Sequence, residues 1–183
     1  MDRYSQTRLS NPESVLEHTG WVCMCSFFIA MELKHLGEDI DIGLLMSKAV
    51  IHDIEEVIVG DIANPTKYYS QKLTSEIQSL SGQAASELLS PFSSGMQLMD
   101  IWIEAKMGKE GYVVALADKL AVVYKVEQEV LGFGNSTIKG HIKGLREAME
   151  HLRSELPASE IENAFLINGI ISEAIEICSK VTK

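Results

Sequence analysis

No stretch of this chain sustains the two-residue alternation of a half-buried strand, whereas apolar residues recur at helical spacing along most of its length. That feature confines the chain to an all-α fold. Its 183 residues can bury one sizeable core and are short for two, so one domain over 1–183 is expected. Hydrophobic residues make up 46% and charged residues 23%, ordinary usage for a folded soluble protein, which argues against a disordered or fibrous chain.

Punctuation divides the helical pattern. Asn11 as N-cap and Pro12 at the first helical position predict a helix running to Leu36 and stopping at Gly37. A second helix begins near Asp41 and carries "IGLLMSKAVIHDIEEVIV" to Gly60. "GDIANPTKYY" reads as a loop, because Gly60, Asn64 and Pro65 are turn formers. The Ser- and Gln-rich stretch from Ser70 to Ser94 predicts weak amphipathic helix at best and the most mobile part of the chain. Helices over Gly95–Met107, Glu110–Leu131 and Thr137–Leu152 follow, and a capping box of Ser159 with Glu162 opens the last. The sum is a compact bundle of about six or seven helices.

The longest uncharged apolar run, "WVCMCSFFIAM", falls far below the roughly 20 residues needed to span a bilayer, so no membrane partner is expected. The first residues carry no apolar signal region, and three cysteines, an odd number, suit a reduced cytoplasmic protein. A net charge of −10 disfavours polymeric nucleic acid, whose phosphates need clustered Lys and Arg. A small anionic ligand stays compatible with that charge if a divalent cation sits beside it.

Three spots set polar residues into apolar helical patterns: His18 in "SVLEHTGW", His52 and Asp53 in "AVIHDIEEVIVGD", and Asp118 in "VVALADKLAVVY". A carboxylate there needs a cation or several donors. Taken singly, each has a bland reading: a satisfied core histidine, or an aspartate paired with a nearby lysine. Taken together, two imidazoles and two carboxylates from three helices form a mixed N/O set suited to Zn, Mn, Co or Fe. Glu56 lies one turn beyond the His52–Asp53 pair, where a base or acid acting on water could stand. The remaining histidines, His35, His141 and His151, sit among charged residues and receive no role; Cys25 is two turns, about 10 Å, from His18.

The series His18, His52–Asp53, Asp118 resembles the HD-domain metal-dependent phosphohydrolases. More narrowly, the chain is similar to the bacterial 5'-deoxynucleotidases of that superfamily and to phage enzymes that hydrolyse dATP and other deoxynucleoside triphosphates. Arg3–Tyr4 stands fifteen residues before His18, where the family carries Arg-Trp; "HDIEEVIVGDIANPTKYY" resembles its long block after the HD pair, and "LADKL" its last aspartate.

The resemblance implies that His18, His52, Asp53 and Asp118 hold one divalent metal, Mn, Co or Zn with Mg also admitted, and that a triphosphate substrate brings a second. It implies that Glu56 orients or deprotonates the attacking water and that Asp61 stands near the sugar or leaving oxygen. Arg3 and Lys67 would contact phosphate, and Tyr4 would wall the deoxyribose and base in place of tryptophan. The reaction implied is cleavage at O5' of a 2'-deoxynucleotide to deoxynucleoside and phosphate. The alternative is a triphosphohydrolase releasing triphosphate, with added positive charge from Arg8, Lys67, Lys72 or Lys106. A lower-ranked alternative is a non-catalytic metal-dependent nucleotide sensor, which loss of Glu56 or Asp61 would favour; both are present. The family's habit of assembly and the apolar Phe165, Leu166, Ile167, Ile170 and Ile171 raise the expectation of a homo-oligomer. A bacterial cytoplasm, or that of a phage-infected cell, is the implied location.

Overall fold

The helix Gly108–Glu127 (α7) buries residues almost all round, from Tyr112 and Val113 through Leu116, Ala117 and Asp118 to Val126, and is therefore the axis of the fold. A computed structural model describes residues 3–4 and 7–182, with the side chains of Asn64 and Pro65 outside the description. Met1, Asp2, Ser5, Gln6 and Lys183 of the segments read above likewise lie outside the described residues. Around α7 pack α1 (Val15–His35), α2 (Ile42–Ile51), α8 (Ile142–Glu155) and α9 (Ala164–Thr182). The one-turn helices α3 (Glu56–Val59) and α4 (Asn64–Lys67), with α5 (Gln71–Leu89) and α6 (Gly95–Ile103), build one flank. No strand occurs among the described residues, and seven helices there have nine residues or more, so the expected all-α bundle stands.

Helix α1 buries Val15, His18, Val22, Ser26, Ile29, Ala30 and Leu33, the three- and four-residue spacing of a single stripe, which lies against α7 and α2. Among the described residues no helix is long and apolar enough to cross a membrane. Of the apolar group proposed for an interface, Ile167 and Ile171 are fully buried in the core, whereas Phe165 is exposed.

Several boundaries differ from the sequence expectation, each for a local reason. Helix α1 starts after Ser14, not Asn11: Ser14 Oγ accepts from Glu17 N–H, and a Glu17 carboxylate oxygen accepts from Ser14 N–H. Asn11 is held elsewhere, its N–H donating to Glu129 and its carbonyl accepting from Lys125. The second helix ends at Ile51, and residues 52–55 turn through i→i+3 bonds, Ile54 N–H to Ile51 O and Glu56 N–H to Asp53 O. The Ser- and Gln-rich stretch is a full 19-residue helix, capped by Ser70 Oγ and buried along Ile77, Ala84, Ala85 and Leu89. The Ser159–Glu162 box does not form. Ser159 Oγ instead donates to Leu156 O and accepts from Ile161 N–H in a 3-10 turn, and α9 begins at Ala164. The helix expected from Thr137 opens as a 3-10 turn, Ser136–His141, and Glu127 leads into a π-helical turn, Gln128–Gly132.

That π-helical turn holds residues 10 and 11 in place. The fully buried Glu129 accepts from Ser10 N–H (2.7 Å), Asn11 N–H (2.9 Å) and the Asn135 side-chain amide (2.6 Å), with Lys125 Nζ at 3.5 Å. Burial opposes the ionised carboxyl, but these donors and Lys125 outweigh it and hold the pKa below the usual glutamate value.

Glu129→Ala leaves three donors without their acceptor and the buried Lys125 without its counter-charge, and a loss of about 3–5 kcal/mol is expected in urea unfolding. A depressed folded-state pKa contributes stability present above the unfolded value of about 4.3, lost as pH falls through the folded value. The stability gap between wild type and Glu129→Gln therefore narrows on acidification below about pH 4.3.

Candidate metal centre

Three elements bring four ligand-type side chains to one point. His18 comes from the buried stripe of α1, His52 caps the C-terminus of α2 with Asp53 next to it, and Asp118 faces inward from the middle of α7. One potential ligand atom from each lies within 4.8 Å of the others. His18 is fully buried, and His52 and Asp118 are nearly so. His18 Nε2 is 3.2 Å from Asp118 Oδ1 and 3.8 Å from Asp53 Oδ2, and His52 Nε2 is 3.0 Å from Asp53 Oδ2.

The histidine geometry suits a metal. His52 Nδ1 lies 2.8 Å from the carbonyl of Ala49, which can only accept, so the ring carries its proton on Nδ1 and presents a lone pair at Nε2. That Nε2 is buried and, despite its nearness to Asp53, has no hydrogen-bond partner. An unsatisfied buried nitrogen beside two carboxylates and a second imidazole is the donor set that Mn, Co or Zn takes. These residues fit a divalent ion.

The bland reading of Asp118 also holds in part. Lys106 Nζ sits 2.8 Å and Lys119 Nζ 3.0 Å from Asp118 Oδ2, and Lys106 lies 3.8 Å from Asp53 Oδ1. Burial disfavours the charge on Asp118, yet Lys106 and Lys119 hold its pKa far below the ordinary aspartate value. At Asp53 burial is likewise outweighed, by His52 and Lys106, and that pKa is lowered. For the imidazoles burial wins at His18, whose pKa is lowered, while at His52 the Asp53 carboxylate wins and raises it.

Glu56, Asp61 and Arg3 meet beside this cluster. Arg3 Nε is 3.9 Å from Glu56 Oε2 and 3.8 Å from Asp61 Oδ2, and Arg3 Nη1 is 3.7 Å from Glu13. Glu56 Oε2 is buried without a hydrogen-bond partner, and burial first, then the Asp53 charge, push its pKa up to about 8. Asp61 Oδ2 accepts from Tyr4 N–H at 3.0 Å, which holds Tyr4 at φ +60°, a left-handed conformation unusual for an aromatic residue. Lys67 ends α4 and pairs with no carboxylate among the described residues, though its charge reaches Glu55.

Sequence reasoning missed several participants. His141, given no role, packs its ring edge-on against Tyr4 at 5.5 Å and shares a hydrogen bond with Thr7. Glu13 backs Arg3 through its carboxylate, and its carbonyl accepts from Arg3 N–H. Glu55 accepts from the Trp102 indole at 2.7 Å. Lys119 was legible as the residue after Asp118; the long-range partners carry no signal in the chain.

The family described as YfbR-like, 5'-deoxynucleotidase YfbR-like, matches residues 1–165. The chain is 26% identical over 139 residues to the 5'-deoxynucleotidase VP0926 of Vibrio parahaemolyticus, covering 74% of this chain and 71% of that protein. It is 24% identical over 161 residues to the 5'-deoxynucleotidase YfbR of Escherichia coli, covering 85% and 79%. Among solved structures, an HD-domain phosphohydrolase from Listeria innocua shares the fold at a TM-score of 0.73 and 21% identity, over 100% of this chain and 92% of that one.

Wild-type protein dialysed against Mn(II), Co(II) or Zn(II) is expected to retain one ion per chain by elemental analysis, and Asp118→Ala to retain none. Stoichiometric ion in the variant would remove Asp118 from the ligand set.

Proposed function

The chain belongs to the 5'-deoxynucleotidase YfbR-like family of HD-domain phosphohydrolases and is an enzyme, and from this we propose that it cleaves the phosphate ester at O5' of 2'-deoxynucleoside monophosphates. Deoxynucleoside and inorganic phosphate are the products. The observation that carries this reading is the unpartnered buried oxygen of Glu56 next to a cluster fit for a divalent ion. A carboxyl that burial and then a charged neighbour push up to about 8 is matched to taking and returning a proton near neutral pH.

In this reading His18, His52, Asp53 and Asp118 hold the ion, and Ala49 O fixes the His52 tautomer. A divalent ion bound there supplies Lewis acidity toward a phosphoryl oxygen and eases the ionisation of water. Glu56 takes the proton of the attacking water. Arg3, steered by Glu13 behind it, offsets charge on the phosphate as the bond to O5' breaks, and Lys67 adds to it from the end of α4. Asp61 serves the leaving oxygen or the sugar, and its bond to Tyr4 N–H ties that role to the ring that walls the nucleoside. His141, packed on Tyr4, stiffens that wall.

The exposed Trp21, Met24, Phe28 and Met31 follow helical spacing on the outer face of α1, and we assign them to contact with a second copy of the chain. Light scattering is expected to give a multiple of the 20.2 kDa chain mass, and Phe28→Glu to return the monomer.

The decisive experiment incubates the protein with dNMPs, dNTPs and ribonucleotides under Mn, Co, Zn or Mg and separates the products. Release of phosphate from dNMPs is expected; release of triphosphate from dNTPs alone would transfer the activity to the triphosphohydrolase class, and no cleavage under any metal would reject both. Glu56→Gln is expected to keep metal binding and lose about 10²–10⁴-fold in kcat.

A further inference from the structure

Among the described residues two ammonium groups touch the cluster, and they do so differently. Lys119 pairs with Asp118 alone, from the neighbouring position on α7. Lys106 enters from the loop between α6 and α7, donates to Asp118 Oδ2 at 2.8 Å and reaches Asp53 Oδ1 at 3.8 Å. It bridges the two carboxylates that the metal reading assigns as ligands.

The root of Lys106 is fixed and its stem is not. Ala105 is buried, Lys48 Nζ donates to the carbonyl of Met107 at 2.7 Å, and the backbone of Lys106 lies flat against Gly111. A Cβ at Gly111 would meet Lys106 C at 2.6 Å, so only glycine admits this approach. The Lys106 side chain itself is 42% exposed and carries its charge on a four-carbon stem that can turn at little cost. A divalent ion and this ammonium compete for the same oxygens, and once the ion is held the two cations repel.

We propose that Lys106 is a phosphate-contacting residue of this site: it holds Asp118 and Asp53 together in the metal-free chain and turns to a substrate phosphate oxygen when a divalent ion takes those carboxylates. A compact ammonium suits this double use, because it binds carboxylate or phosphate as a point charge without the fixed fork of arginine. The proposal rests on the metal-dependent phosphohydrolase reading above, and it makes opposite demands on two affinities when the charge is removed.

The test uses Lys106→Met, with Lys119→Met as the control for loss of one positive charge at the same carboxylate. Mn(II) affinity is measured by competition with a chelating dye, and inorganic phosphate affinity by 31P line broadening on the Mn-loaded protein. Lys106→Met is expected to bind Mn(II) more tightly than wild type and phosphate about tenfold or more weakly, the loss of one charge-assisted hydrogen bond. Lys119→Met is expected to leave phosphate affinity near wild type. Unchanged phosphate affinity in Lys106→Met, an equal loss in both variants, or weakened Mn(II) binding in Lys106→Met would each overturn the proposal. Neither measurement needs turnover. A protein that hydrolyses no nucleotide yet loses phosphate affinity in Lys106→Met keeps this assignment and loses the hydrolase reading; hydrolysis with unaltered phosphate binding does the reverse.

Discussion

A carboxylate buried at the centre of the most enclosed helix governs this molecule. Asp118 is 4% exposed, and its neighbours on α7, Val114, Leu116, Ala117 and Ala121, are core residues. Such a charge is costly without opposite charge and donors within a few ångströms. His18 from α1 and two lysines answer that demand, while the turn after α2 adds a second carboxylate, Asp53, that His52 and Lys106 offset. The packing of α1 against α7 and the assembly of a polar centre are thus one event, since the helix that closes the core also delivers an imidazole to Asp118.

A second buried carboxylate organises the rim. Glu129 gathers backbone N–H groups at residues 10 and 11, while Asn135 and Thr137 donate to the carbonyl of Arg8. Residues 8–11 are therefore tied to the turns after α7, and Arg3 and Tyr4 stand beside Glu56 and Asp61. The left-handed backbone at Tyr4 costs of order 1–3 kcal/mol and persists because the bond to Asp61, the packing of His141 and the Thr7 N–H on its carbonyl all act on one residue.

The all-α class and the four cluster residues were legible because both follow from local pattern: helical spacing, and polar residues stranded within it. His18, His52, Asp53 and Asp118 each stood out against apolar neighbours, and burial made them meaningful as a set. Helix starts were less legible, since Asn11 and Pro12 form a sound local cap signal that long-range bonds to Glu129 and Lys125 override. Ser70–Ser94 looked weak because its buried face is small, Ala84 and Ala85 among it, and alanine contributes little to an apolar pattern. Glu13 escaped notice, His141 received no role and Lys106 stood only among several candidate charges, for a different reason: each is ordinary in its own window, and only the fold brings it near the site.

The break after Ile51 has a consequence for the adjacent histidine. The carbonyl of Ala49 is one of the last four of α2, which the helix ladder leaves without a backbone donor. That acceptor goes to His52 Nδ1 at 2.8 Å, and the ring turns its other nitrogen toward Asp53, 3.0 Å away. The end of the helix thus writes the tautomer of the imidazole. Extending α2 by one regular turn would return the Ala49 carbonyl to Asp53 N–H and leave Nδ1 to find another acceptor.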